Sequence, residues 1–196
     1  NTPEQERSIS FSPDGKSILF AGERNGSWNL YQIKRVRDEE NYFYSSTVLK
    51  EEEILVSDKE TFQPRFSPDG KEVAYLEERV VLKVLNLKTK ATRTILGKEF
   101  NYSYTDGDQS YAWSPDGKWF LVGYLPYNRW NQDVGLVSAD GKKKINLTES
   151  GYDCHAPRWV MGGEAVIWSS GRNGMKSHGS WGTQEDVYIM FLTAES

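Results

Sequence analysis

Ser177 and His178 stand side by side in a glycine-rich stretch and are the first pair that suggests chemistry, a hydroxyl nucleophile next to an imidazole base. Nucleophilic catalysis needs the base within hydrogen-bond reach of the nucleophile and a third group to orient it. Side chains adjacent in sequence usually point apart, and the Gly-x-Ser-x-Gly elbow of esterases does not occur. The pair therefore reads as part of a surface loop. Cys154-His155 offers a thiol and an imidazole, but the chain has 1 Cys and 2 His, and no ligand spacing surrounds them. A structural place in a connector is expected for this pair. Asp14, Asp69 and Asp116 each sit in a Ser-Pro-Asp-Gly run, where turn chemistry accounts for the carboxylate. Asp106-Gly-Asp108 is the better cation candidate, yet calcium wants about six or more oxygens and no EF-hand pattern is present. No catalytic residue, cofactor or metal is expected of this chain.

The elements that carry these residues repeat. Phe11-Ser-Pro-Asp-Gly-Lys16 recurs as Phe66-Ser-Pro-Asp-Gly-Lys71 and Trp113-Ser-Pro-Asp-Gly-Lys118, with a degenerate copy at Trp159-Val-Met-Gly-Gly-Glu164. The aromatic residues lie at steps of 55, 47 and 46 residues, the period of propeller blades and too long for ankyrin or TPR units. Pro sets φ, Asp bonds nearby backbone and Gly takes positive φ, so each run predicts a tight strand-to-strand turn. A short first strand should precede it (Ile9-Phe11, Arg65-Phe66, Tyr111-Trp113, Arg158-Trp159), its aromatic end packing between neighbouring sheets. Buried second strands follow at 17–21, 72–76, 119–123 and 165–169, and third strands at 28–33, 81–85, 133–137 and 186–191, with one face less buried. Weaker fourth strands are placed near 53–56, 92–96 and 143–147. The fold class is all-β, a propeller segment of four blades at about 7–56, 62–96, 109–148 and 155–192, read as part of a larger ring of six or seven.

Composition agrees. Aromatic residues make up 13% of the chain, with 7 Trp and 11 Tyr, which favours packed sheets over a helical bundle. A net charge of −4 argues against a nonspecific grip on nucleic acid or anionic membrane, and no run of apolar residues is long enough to cross a bilayer. The charge runs at 35–40 and 50–53 read as solvated sheet edges. An open end of the propeller predicts self-association through an apolar blade face.

The Phe/Trp-Ser-Pro-Asp-Gly-Lys blade resembles the WD40-like PD40 repeats of TolB and of the propellers attached to tricorn-type and prolyl-oligopeptidase-type proteases. Three stretches, 1–8, 23–31 and 172–182 followed by Asp186-Val-Tyr188, look more narrowly like the amino-terminal propeller of bacterial tricorn-like S41 peptidases. That resemblance implies a non-catalytic module that binds or gates peptides, a separate region of the parent protein supplying the nucleophile, and a periplasmic or cell-envelope setting in a Gram-negative bacterium. The alternative it leaves open is a TolB-like scaffold for a protein partner.

In a four-stranded meander the loops between second and third strands emerge on the same rim as the connectors between blades. Two such loops are long, 126–132 and 171–185. Exposed Tyr, Trp and Arg dominate recognition surfaces, which makes Tyr127, Arg129, Trp130, Arg172, His178 and Trp181 the candidate surface for a peptide or protein partner. The bland reading is that the same aromatics staple long loops to the blade tops.

Overall fold

The computed structural model describes residues 4–24, 26–37, 39–104, 109–126, 130–176 and 182–192. Contacts divide the chain into two compact units, Asn1–Thr94 and Ile95–Ser196. The first sheet is β1 (Glu6–Phe11), β2 (Ser17–Arg24), β3 (Ser27–Arg35) and β4 (Leu49–Leu55), hydrogen-bonded in chain order. The second is β5 (Thr61–Phe66), β6 (Glu72–Glu77), β7 (Val81–Asn86) and β8 (Thr92–Leu96). The third is β9 (Tyr111–Trp113), β10 (Trp119–Tyr124), β11 (Asp133–Ser138) and β12 (Lys144–Asn146), and the fourth is β13 (Cys154–Val160), β14 (Ala165–Ser170) and β15 (Asp186–Phe191). All four are meanders. Within the first unit β5 packs on β1, β2 and β3, and within the second β13 packs on β9, β10 and β11. In both units, therefore, the first strand of one blade packs on the sheet of the blade before it.

One turn recurs almost atom for atom. The Ser12 hydroxyl donates to Asp14 Oδ1 at 2.6 Å, the Lys16 N–H donates to the same oxygen at 3.0 Å, and the Ser17 N–H donates to Ser12 Oγ at 2.9 Å. Ser67 and Asp69 repeat the set at 2.7, 3.1 and 3.0 Å, and Ser114 and Asp116 at 2.6, 3.0 and 2.9 Å. Each Gly of the motif has φ near +70° and donates its N–H to the Ser carbonyl, the conformation Gly adopts without steric cost. A fourth instance was missed in the sequence because Ala139 replaces Pro. Between β11 and β12, the Ser138 hydroxyl reaches Asp140 Oδ1 at 2.5 Å, and the Lys142 and Lys143 N–H groups close the turn at 3.1 and 2.9 Å. Proline biases this turn; the Ser–Asp pair builds it.

The first strands are longer than expected wherever a bulge lets them continue. β1, β5 and β13 each shift register within their first residues, and Ser8, Gln63 and Ala156, three positions before the aromatic residue, have φ of 59°, 49° and 51°. Pro64 and Pro157 follow two of these residues, and a bulge on an edge strand tolerates a residue without an N–H. Cys154 and His155 accordingly open strand β13 and are not in a connector. Phe11, expected between sheets, is 60% exposed and meets the Phe43 ring edge-on at 6.0 Å. Trp159 does pack into the second unit's core and donates its indole N–H to the Ala112 carbonyl at 3.4 Å.

Two of the third strands also differ from expectation. β11 is buried over Asp133–Val137 and β3 over Trp28–Gln32, polar residues included, because those residues are paired internally, whereas β7 and β15 keep the expected less buried face. Gln32 donates to Ser17 Oγ at 2.6 Å, and Asn29 Oδ1 accepts the Ser57 N–H at 3.0 Å. The second unit's core is Leu121, Val134, Leu136, Cys154, Val166 and Trp168. The charge run at 50–53 lies on the edge strand β4, where Glu52 pairs with Lys34 at 2.6 Å and Lys50 at 3.0 Å.

The turn makes a pH-dependent contribution. The Ser67 hydroxyl, then the Lys71 N–H and ammonium, hold the Asp69 carboxyl at about 2, against an ordinary 3.8. A depressed folded value means stabilisation that is complete above the ordinary carboxylate range and lost as pH falls toward 2. Asp69→Ala should lower stability by about 1 kcal/mol at neutral pH, with little further difference from wild type at the acid end; Asp69→Asn, which keeps an acceptor oxygen, should lose less. Urea unfolding as a function of pH measures this, and an unchanged midpoint in Asp69→Ala at pH 7 would contradict it.

Candidate functional site

A cavity of about 680 Å³ opens among the loops that join β10 to β11, β12 to β13, and β14 to β15, the rim singled out by the two long loops. The connector that contributes Gly151, Tyr152 and Asp153 to it is tied down by one buried carboxylate. Asp133, 3% exposed at the start of β11, accepts the Asn146 amide at 2.8 Å, the Thr148 hydroxyl at 2.8 Å and the Ser150 N–H at 3.0 Å. Burial of an acceptor-only group requires donors of this kind, and here all three come from β12 and the connector that follows it. The connector is also bound to the preceding loop. The Gln132 N–H donates to Asp153 Oδ1 at 2.9 Å, the Cys154 N–H to the Gln132 carbonyl at 2.8 Å, and the Asn131 amide to the Gly151 carbonyl at 2.5 Å.

Within the cavity lining, His155 Nε2 lies 2.9 Å from Glu185 Oε2, thirty positions away in sequence, and His155 Nδ1 lies 4.0 Å from Asp153 Oδ2. Both ring nitrogens face carboxylates. Lys176 also lines the cavity, its ammonium 4.7 Å from the centre of the Tyr152 ring, and it pairs with Thr183 in an isolated bridge within the β14–β15 loop. Cys154, on the other face of the strand from His155, is 2% exposed and its thiol is directed at the Tyr152 carbonyl at 3.6 Å. Thiol and imidazole thus do not form a nucleophile–base pair. The cavity lining holds two carboxylates, Asp153 and Glu185, together with a cation over an aromatic ring.

Of the residues selected from the sequence, Trp130 is 74% exposed and meets the Tyr102 ring at 5.3 Å, and Tyr102 in turn meets Tyr104 at 4.7 Å. This exposed aromatic cluster draws two of its members from the segment before β9, which the sequence reading left out. Arg172 lines a smaller cavity of about 160 Å³ beside Trp168 and Tyr188. Tyr127, Arg129, His178 and Trp181 lie outside the described residues, as do Ser177, Asp106 and Asp108. Among the described residues no three His, Cys, Asp or Glu side chains converge so as to hold a metal ion, and no helix is long and apolar enough to cross a membrane. His155, Glu185, Tyr152 and Lys176 are the residues the sequence reading missed. The available signal was that a connector and a long loop share one rim.

No family model and no curated protein matches this sequence. Solved structures do. The chain superimposes on tricorn protease with a TM-score of 0.66 at 12% identity, covering 97% of this chain and 18% of that one. It superimposes on a prolyl endopeptidase with a TM-score of 0.65 at 14% identity, over 98% of this chain and 29% of that one, and on TolB from Acinetobacter baumannii with 0.58 at 21% identity, over 94% and 40%. The fold is a β-propeller of the TolB and tricorn type. At these identities the likeness is one of fold, and the chain spans less than half the length of each of these structures.

Because Asp133 ties the connector between β12 and β13 to β11, Asp133→Ala should cost about 2–3 kcal/mol, leaving the Asn146, Thr148 and Ser150 donors without their acceptor. Denaturant unfolding at constant m-value reads the loss. A change below about 0.5 kcal/mol would mean that water satisfies these donors equally well.

Proposed function

We propose that this chain is a non-catalytic propeller module of a tricorn-like serine peptidase of the Gram-negative periplasm or envelope, in which it binds or gates peptide substrates. Its blades, at about 7–56, 62–96, 109–148 and 155–192, would be repeating units of a ring of six or seven. The observation that carries the reading is the rim cavity, lined by the His155–Glu185 pair, Asp153, and Lys176 over Tyr152. Such a site takes the main chain and termini of a peptide with little demand on its side chains, which suits a module that admits mixed peptides. The rim loops bearing Tyr127, Arg129, Trp130, Arg172, His178 and Trp181 would extend the surface around it.

A second reading, a TolB-like scaffold for protein–protein contact or self-association, is favoured by β15. Val187, Ile189 and Phe191 alternate along that strand at 72%, 51% and 60% exposure, an apolar face of the kind that marks an interaction surface.

The deciding experiment sets this chain beside its full-length parent in a peptidase assay with mixed peptides, and measures binding of an uncleavable peptide to the chain alone. The module reading expects cleavage by the parent only, and peptide binding by the chain that weakens about tenfold in both Lys176→Ala and Glu185→Gln. Cleavage by the chain itself overturns it. Absence of peptide binding, with a light-scattering mass above 22.5 kDa, gives the field to the scaffold reading.

A further inference from the structure

The smaller cavity, about 160 Å³, lies between the third and fourth blades and is lined by Leu147, Ser170, Arg172, Tyr188 and Met190, with Trp168 behind them. Its walls follow from strand register. Trp168 and Ser170 alternate along β14 and share one face, Arg172 reaches the cavity from the bend that follows the strand, and Trp168 pairs across the sheet with Tyr188, the two rings stacked at 5.9 Å and 16°.

Two hydroxyls there have no acceptor, and an exposed cation lines the same cavity. Ser170 is 1% exposed and its hydroxyl has no hydrogen-bond partner; the Tyr188 hydroxyl oxygen is likewise buried without one. Arg172 makes no hydrogen bond or ion pair to a described residue. The other polar groups nearby are already engaged: the Thr148 hydroxyl donates to Asp133, the Ser150 hydroxyl accepts the Tyr152 N–H, and the Cys154 thiol is directed at the Tyr152 carbonyl. A buried hydroxyl without a partner is costly, and an exposed guanidinium lining the same cavity as two such hydroxyls sets up a charge-assisted site for an acceptor-only group.

From this arrangement we infer that the cavity binds a carboxylate carried on a short apolar stem. A carboxylate offers about four acceptor positions, enough for the guanidinium and both hydroxyls, and cannot compete as a donor. Leu147, Met190 and the Trp168 ring give the stem an apolar seat that a phosphate, hydrophilic on every side, does not use. The volume admits one terminal group and not a longer ligand, since sites for whole drug-sized molecules run to about 300 Å³ and above. The C-terminal residue of a peptide and a free short-chain acid share this chemistry. The inference does not depend on the peptidase reading, which rests on the larger cavity.

The test is an NMR titration of the 196-residue chain with butyrate, following the Arg172 side-chain N–H and the Trp168 indole N–H, with butyramide and inorganic phosphate as controls. Butyrate should shift both signals saturably, the two controls should bind at least tenfold more weakly, Arg172→Gln should weaken butyrate about tenfold, and Ser170→Ala severalfold, with the rest of the spectrum unchanged. Equal binding of butyramide or phosphate, unchanged affinity in Arg172→Gln, or no shift with butyrate overturns the inference; the last outcome would leave ordered water as the partner of the two hydroxyls. A tripeptide with a free C-terminus against its C-terminal amide then separates the two sources: binding of the free tripeptide alone points to a peptide end, and binding of butyrate without either tripeptide points to a small free acid. Loss of peptide binding in Lys176→Ala with butyrate binding intact would separate this site from the larger one.

Discussion

The structure depends on one short interaction, a carboxylate oxygen that receives a serine hydroxyl from two residues before it and an N–H from two residues after it. Four turns use it, at Asp14, Asp69, Asp116 and Asp140. Each is mostly in water and by itself contributes little. Its importance is geometric, because side chains in a strand alternate with a period of two, and a turn of defined length fixes which half of the next strand faces inward. Once Ser17, Glu72 and Trp119 are anchored to the serine of the turn, β2, β6 and β10 present Leu19, Ala74 and Leu121, each two residues further on, fully buried.

That dependence explains why so much of the fold was legible in the sequence. The turn signals its own position, and the second strands follow it at fixed distance. Less legible was whatever depends on two blades at once. The expectation of a half-exposed third strand came from the alternation of polar residues in β3 and β11, yet Asn29, Gln32 and Asp133 are buried because the partners that satisfy them come from a neighbouring strand or connector. Pairings of that kind have no local signature. The Ser138–Asp140 turn escaped for the opposite reason: its chemistry is local, but proline had been given the weight that belongs to the serine and the aspartate.

The rim shows the same division. Meander topology alone says that second-to-third loops and blade connectors share one edge, and the larger cavity lies there. The chemistry of the cavity lies in contacts such as His155 with Glu185 and Lys176 with Tyr152, which join residues far apart in sequence and across two loops. Cys154 and His155 are adjacent in sequence but occupy opposite faces of one strand, and the histidine's own partners are carboxylates that adjacency does not signal.

The turns also meet one another. Gly70 of the second blade lies where an added Cβ would be 3.7 Å from the ring of Pro13 in the first, and Gly163 of the fourth, at φ +104°, where one would be 3.1 Å from the ring of Pro115 in the third. The fourth blade has lost the Ser, Pro and Asp of the motif and kept this glycine. What is retained in a decayed repeat is therefore set partly by the repeat before it. At the Pro115–Gly163 contact a side chain would have to push the proline ring aside, so the proline of one turn limits what its neighbour can carry, while at Pro13–Gly70 the same addition would make an ordinary contact.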